Sequence, residues 1–258
     1  MPLRPHYLAG PATVLALLLG FTAAAAAPAD TSTPAAACDP AAATCPAPPG
    51  DEILSNETTF TTWTSMLSAS PVRRDPSTSS PRVATLHQST EDGFPEVYIV
   101  LRQRIVGGAT WAQVRVPAKP AGTTGWVPRP SLDLYERVTT ELILNRATQR
   151  IRLLRDGRQV LVAPAGIGAR ATPTPAGHFW IREAFPVQGV GAYGPFAFGT
   201  SAYSSLTDWP GGGVVGMHGT NQPGLVPGRP SHGCIRLRNA DILRLSRLVE
   251  VGTPLLIQ

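Results

Sequence analysis

The sequence predicts a mainly β chain: a small β-barrel followed by a β-rich unit with one or two short helices. Three observations predict it. Of 258 residues, 25 are Gly and 27 are Pro, which disfavours long helices and favours short strands joined by turns. Short β-branched and aromatic runs recur between those turns. A single helical pattern stands out, close to the C-terminus. The hydrophobic fraction of 43% and charged fraction of 15% exclude a disordered polyelectrolyte and leave apolar surface for a core.

The first 27 residues read as a targeting segment. Arg4 and His6 precede an apolar stretch from Leu8 to Ala27, whose alanine-rich end offers cleavage sites near Ala25 to Ala29. The alternative is an uncleaved membrane anchor. Both place the remainder outside the cytoplasm, in the periplasm or cell wall. Residues 28–70 read as a linker, since Pro28 to Gly50 is rich in Ala and Pro and has almost no large apolar side chains. Cys38 and Cys45 lie in it and can form a small loop disulfide in an oxidising compartment.

Residues 71–134 carry short strand patterns. Glu96-Val97-Tyr98-Ile99-Val100-Leu101 is β-rich, Trp111 to Val116 alternates and stops at Pro117, and Gly125-Trp126-Val127 follows a turn at Ala121 to Thr124. Trp111 and Trp126 either line a ligand groove or pack the barrel. Residues 138–258 form a second unit. Glu141 to Leu144 reads as a strand. Arg150 to Leu154 and Gln159 to Val162 form a hairpin about Asp156-Gly157. His178 to Ile181 and Val214 to Met217 read as further strands. Asn239 is the expected N-cap of a helix with Ile242, Leu245, Leu248 and Val249 on one face. Gly252 ends that helix and Pro254 to Ile257 closes the chain as a strand.

The net charge of +5 comes from 22 basic and 17 acidic residues dispersed along the chain. Without a Lys/Arg run, a nucleic-acid groove is excluded as the expected function. A mildly basic surface suits an anionic polymer such as a cell wall. The spacing of the cysteines offers no C-x-x-C zinc motif, and no metal or organic cofactor is expected.

The chemistry concentrates in Met217-His218-Gly219-Thr220 and Ser231-His232-Gly233-Cys234-Ile235-Arg236-Leu237. A lone cysteine beside histidines in an exported chain points to a reactive thiol, since an imidazolium lowers a thiol's pKa and a thiolate attacks carbonyls. The backbone N–H groups of Gly233 and Cys234 are candidate oxyanion donors. In an extended segment His232 and Cys234 point to the same side, whereas His218 approaches from another strand. The residues alone leave the choice of base between the two histidines open.

These motifs resemble the L,D-transpeptidase catalytic domain, the YkuD family, whose signature is a histidine, a loop and Ser/Thr-His-Gly-Cys. Here that is His218 followed by Ser231-His232-Gly233-Cys234. Thr172 to Phe179 matches the family's Thr-Pro-x-Gly-x-Phe loop and Gly252-Thr253-Pro254 its ending. The resemblance implies Cys234 as nucleophile, His218 as proton donor and acceptor held by the Gly219 carbonyl, and His232 in support. It places Gly233, Gly219 and Arg236 among oxyanion and substrate-binding residues. Arg236 stands where many members carry Asn, so a surface ion pair and a substrate carboxylate are both open to it. Residues 71–134 resemble a bacterial SH3-like domain through Val72-Arg73-Arg74-Asp75-Pro76, Trp111-x-x-Val114 and Gly125-Trp126-Val127, implying a module that positions the enzyme on the wall.

The implied reaction joins peptidoglycan stem peptides, donor and acceptor, into 3→3 cross-links through a Cys234 thioester, with carbapenem inhibition expected. With water as acceptor the same site is an L,D-carboxypeptidase. A Cys/His wall endopeptidase places its cysteine before its histidine, the reverse of the order here. A non-catalytic wall-binding protein is the remaining alternative.

Overall fold

The computed structural model describes residues 50–189, 191–206 and 213–258. The targeting segment, Cys38 and Cys45 lie outside the described residues. The described chain is mainly β, with one α-helix.

The first sheet is built from β1 (Asp51–Ile53), β2 (Thr61–Thr64), β3 (Pro71–Arg73), β4 (Arg82–Thr85), β5 (Tyr98–Val106), β6 (Ala109–Arg115), β7 (Thr124–Pro128) and β8 (Glu136–Val138). Its order is β4-β3-β7-β6-β5-β2-β8, with β1 also on β5. The β5–β6 hairpin turns at Gly107 and Gly108, with φ of 57° and 80°, the left-handed pair that a tight hairpin turn requires. Alternate residues Tyr98, Val100, Ala112 and Val114 then face one core. The Tyr98 hydroxyl donates to the His87 carbonyl at 3.0 Å.

β1 and β2 fall inside residues 28–70, the expected linker, which is corrected here from Asp51 onward. Long-range polar contacts hold them. The Asp51 carboxylate pairs with Arg104 on β5, and Glu57 forms a two-point ion pair with buried Arg115 at 2.8 and 2.6 Å. The Ser55 hydroxyl donates to the Val100 carbonyl at 2.6 Å. Ordered strands begin at Asp51 because their partners lie some fifty residues downstream, where no local pattern reveals them.

Trp111 and Trp126 are 5% and 6% exposed. They pack rather than line an open groove, and Arg104 covers the Trp126 ring at 5.2 Å.

The second sheet comprises β9 (Thr140–Asn145), β10 (Arg150–Arg155), β11 (Arg158–Pro164), β12 (Gly166–Gly168), β13 (Gly177–Pro186), β14 (Phe196–Tyr203), β15 (Val214–His218), β16 (Gly228–Ser231), β17 (Ile235–Arg236) and β18 (Pro254–Ile257). Its order is β11-β10-β9-β18-β13-β14-β15-β17-β12-β16. The β10–β11 hairpin turns at Asp156-Gly157 with φ of 51° and 73°, as the dipeptide predicts. Its core includes Leu142, Phe179, Ile181, Met217 and Ile235.

α1 (Asn239–Leu245) buries Ile242 and Leu245, and its N-cap is Arg238, with no side-chain cap. Asn239, the expected cap, instead uses its Oδ1 to accept the Thr220 N–H at 2.8 Å. It ties the helix start to the loop after His218.

The two sheets are joined through buried side chains. Val97, Ile99 and Leu101 on the first pack with Trp180 on the second, flanked by Trp63 and Val251. The Trp180 indole donates to the Val97 carbonyl at 2.8 Å. Arg182, 3% exposed, donates to Glu96 at 2.8 Å and pairs with Glu91 at 2.9 Å. Trp63 lies so close over Gly252 that no Cβ fits there. Residues 71–134 and 138–258 therefore share a core and a buried charge network.

Candidate active site

Strand register assembles the site. β15 and β17 pair in parallel, with Met217 opposite Ile235 and His218 opposite Arg236. Extending that register by one residue sets Gly216 opposite Cys234. Side chains alternate along a strand, so Met217 and Ile235 point into the core, where both are fully buried. Residues 216, 218, 234 and 236 share the other face. That single alternation brings Cys234, His218 and Arg236 to the wall of one cavity of about 270 Å³, with His232 and Tyr193 also lining it.

His218 is 4% exposed. Its Nδ1 lies 2.6 Å from the Gly219 carbonyl oxygen. A carbonyl only accepts, so Nδ1 carries the proton and Nε2 keeps its lone pair. A Cβ at Gly216 would stand 3.8 Å from His218 Cδ2 and 4.0 Å from Cys234 Sγ. The imidazole's Cδ2–Nε2 edge and the sulfur thus converge over a residue that has no side chain to separate them. Tyr193 closes the far side, its ring edge-on to the imidazole with centroids 4.6 Å apart.

Burial pushes the Cys234 thiol up, opposed by a backbone hydrogen bond from Gly216 and the nearby Arg236 charge. Burial also pushes the His218 imidazole down to about 4, opposed by the Gly219 carbonyl and assisted by Arg236. Both shifts favour uncharged forms, because a dry site penalises charge. Burial thus favours a thiol and a neutral imidazole at neutral pH. It therefore works against the thiolate–imidazolium pair expected from the sequence.

A pH prediction follows from His218. In the unfolded chain it takes a proton near pH 6.5, whereas in the folded protein it stays neutral down to about 4. The unfolded state binds that proton first, so this residue's stability contribution is complete above 6.5. It falls as the pH drops towards 4, by about 3 kcal/mol at the limit. Urea midpoints of wild type and His218→Gln measured between pH 7 and 4.5 should show the wild type losing more stability over that interval. Parallel curves for the two proteins would exclude this titration.

The segment before the sulfur is tightly tied. Gly233 has φ of 131°, a conformation glycine tolerates, and a Cβ there would press on Ser204 at 3.3 Å. Its N–H donates to the Ser231 hydroxyl at 3.2 Å, and Ser231 donates to the Cys234 carbonyl at 2.6 Å. The Gly233 N–H, expected to face an oxyanion, is thereby committed to the loop. The Thr174 hydroxyl, from the upstream Thr-Pro segment, donates to the Gly233 carbonyl at 2.8 Å and accepts the Gly168 N–H at 2.9 Å. Gly219 is likewise occupied: its carbonyl meets His218, and its N–H donates to the Phe196 carbonyl at 3.3 Å. It orients the imidazole rather than lining an oxyanion pocket.

The remaining expected residues divide. His232 is exposed at the rim of the cavity. Arg236 is half-buried on the wall, its Nε buried with no hydrogen-bond partner among the described residues. The Arg236 surface ion pair allowed by the sequence does not form among the described residues. His178 and His87 are exposed and line neither this cavity nor the one beside it. Sequence reasoning missed Thr174, Asn239, Gly216 and Tyr193. Thr174 lay in a recognised motif, but its latch on Gly233 spans 59 residues.

Residues 139–257 match the family model of the L,D-transpeptidase catalytic domain, YkuD. This region is similar to the L,D-transpeptidase catalytic domain. A YkuD relative from Bacillus licheniformis is 36% identical over 103 residues, spanning 40% of this chain and 56% of the relative. A second YkuD relative, from Bacillus subtilis, is 28% identical over 141 residues, spanning 53% of this chain and 78% of that protein. The solved catalytic domain of an E. faecium L,D-transpeptidase is 27% identical, covering 46% of this chain and 96% of that one, with a TM-score of 0.35. Cys234, His218 and Arg236 all fall within the matched domain.

Proposed function

We propose that this protein is an exported, cysteine-dependent L,D-transpeptidase that joins peptidoglycan stem peptides by 3→3 cross-links. The observation that carries the reading is the convergence of the Cys234 sulfur and the His218 Cδ2–Nε2 edge over Gly216, with Nδ1 fixed by the Gly219 carbonyl. The match of this region to the L,D-transpeptidase catalytic domain supports it.

The mechanism follows from a neutral pair. The donor stem enters the first cavity with the carbonyl of its third residue beside Cys234. As sulfur forms the C–S bond, His218 Nε2 takes the thiol proton. The developing oxyanion is met by the Cys234 N–H, since the Gly233 N–H is already engaged. The C–N bond breaks and the imidazolium gives its proton to the departing D-alanine. The side-chain amine of an acceptor stem then attacks the thioester, and the sulfur recovers its proton. Arg236, with an unsatisfied Nε on the cavity wall, binds a carboxylate of the donor stem. No step needs a metal or organic cofactor. A carbapenem, an activated cyclic amide, should acylate the same sulfur.

Export is proposed from the apolar segment 8–27, and the first sheet is proposed as an SH3-like element. Because Trp111 and Trp126 are buried, wall affinity in that region falls to other surface residues.

The reading is tested by incubating purified protein with a disaccharide-tetrapeptide and separating the products. Dimers linked between the two third residues, with release of D-alanine, are expected. Tripeptide alone would mark a carboxypeptidase. No conversion by a folded protein would contradict the reading.

A further inference from the structure

A second cavity, of about 300 Å³, opens on the same sulfur and imidazole from the other side, and its lining includes Glu183, Asp92, Gly199 and Phe185. The first cavity carries the cationic Arg236; the second carries two carboxyl groups. We propose that the second cavity receives the acceptor stem, and that Glu183 and Asp92 are the residues that select a cationic amine there. This rests on the acyl-transfer reading above and names the chemistry of its second substrate.

The geometry comes from a row of cross-strand neighbours. Glu183 on β13 is opposite Gly199 on β14, and Gly199 is opposite Gly216 on β15. The parallel register carries the row on to Cys234. The Glu183 carboxyl folds over Gly199 so closely that no Cβ fits there. The sulfur sits over Gly216, one strand further on. Neighbouring strands are about 4.8 Å apart. The carboxyl and the sulfur are therefore separated by roughly one to two strand spacings, with two glycines as the floor between them. That gap has room for an amine nitrogen approaching a thioester carbon.

The carboxyl is held for the purpose. Thr90 Oγ1 donates to Glu183 Oε2 at 2.7 Å, and Asp92 lines the same cavity beside that carboxyl. Phe94 stacks on Phe185 at 5.2 Å, pinning the loop that carries both Thr90 and Asp92. That loop belongs to the first sheet, so the acceptor side of the site is completed by the N-terminal region. Burial, with Asp92 alongside, pushes Glu183 up to about 7, a range in which it exchanges protons with an amine at working pH.

The transfer balances. The ammonium gives one proton to the carboxyl pair. Its nitrogen forms the C–N bond as the C–S bond breaks. The second proton passes through His218 to the leaving sulfur, restoring the thiol.

The experiment uses the full chain with the disaccharide-tetrapeptide as donor and an amine-bearing stem as acceptor, comparing Glu183→Gln and Asp92→Asn with wild type. The readout is the ratio of cross-linked dimer to hydrolysed tripeptide formed from the acyl-enzyme. Tenfold or greater loss of that ratio in Glu183→Gln, with a raised half-saturating acceptor concentration, is expected. Asp92→Asn, at an exposed position, should lower it several-fold and gives a reading even where Glu183→Gln does not fold. An unchanged ratio in folded, acylated variants would overturn the inference while leaving the transpeptidase reading intact. A wild type that forms no acyl-enzyme would overturn both.

Discussion

Cys234→Ala should abolish acyl-enzyme formation and lower turnover roughly 10³-fold or more, to background. The Cys234 sulfur faces the His218 imidazole over Gly216 on the cavity wall. Cys234→Ser keeps the shape but should be nearly as inactive, because a neutral imidazole must then deprotonate a far weaker acid. His218→Ala should follow closely, since it removes the proton acceptor. His232→Ala should cost much less, its ring being exposed at the cavity rim. Intact-protein mass spectrometry after exposure to a carbapenem checks all four. An adduct persisting in folded Cys234→Ala would show that another group is acylated.

The second large effect concerns the joint between the sheets. A fragment beginning near Arg137 should not fold cooperatively. It would strip Arg182 of Glu96 and Glu91, strip the Trp180 indole of its Val97 acceptor, and uncover the apolar cluster they close. Breaking a buried ion pair by removing one partner costs about 3–5 kcal/mol. Glu96→Ala in the full chain should accordingly lower Tm by roughly 10 °C. A region that only positions the enzyme on the wall, as the SH3-like resemblance implies, would instead leave the catalytic unit folded and active on small soluble stems. Calorimetry of Glu96→Ala and circular dichroism of the fragment decide between them. A fragment that melts cooperatively and turns over soluble stems at the full-length rate would show the joint to be dispensable.

What was legible in the sequence was what depends on local spacing. The Asp156-Gly157 hairpin, the strands around Val100 and Val114, and the closing strand after Gly252 all follow from turn chemistry and alternation. Cys234 and His218 were legible because a motif compresses their chemistry into a few residues. What was not legible depends on long-range pairing. Ordering from Asp51 rests on Arg104 and Arg115, far along the chain. The role of Asn239 belongs to Thr220 rather than to its own helix. The engagement of the Gly233 N–H by the Ser231 hydroxyl is a feature of the folded loop rather than of residue type. Glu183 and Asp92 stand 91 positions apart and share a cavity because the two sheets are fused. The direction in which burial pushes both groups of the dyad, towards their neutral forms, was also beyond the sequence.

The central claim is that the Cys234 sulfur carries the donor stem as a thioester. The measurement that tests it most directly is mass spectrometry of the protein quenched in acid during turnover of a disaccharide-tetrapeptide, followed by peptide mapping. The prediction is a mass gain equal to the donor less D-alanine, located on the peptide containing Cys234 and released by hydroxylamine. A folded, active protein with no such adduct, or with the adduct on another residue, would contradict it.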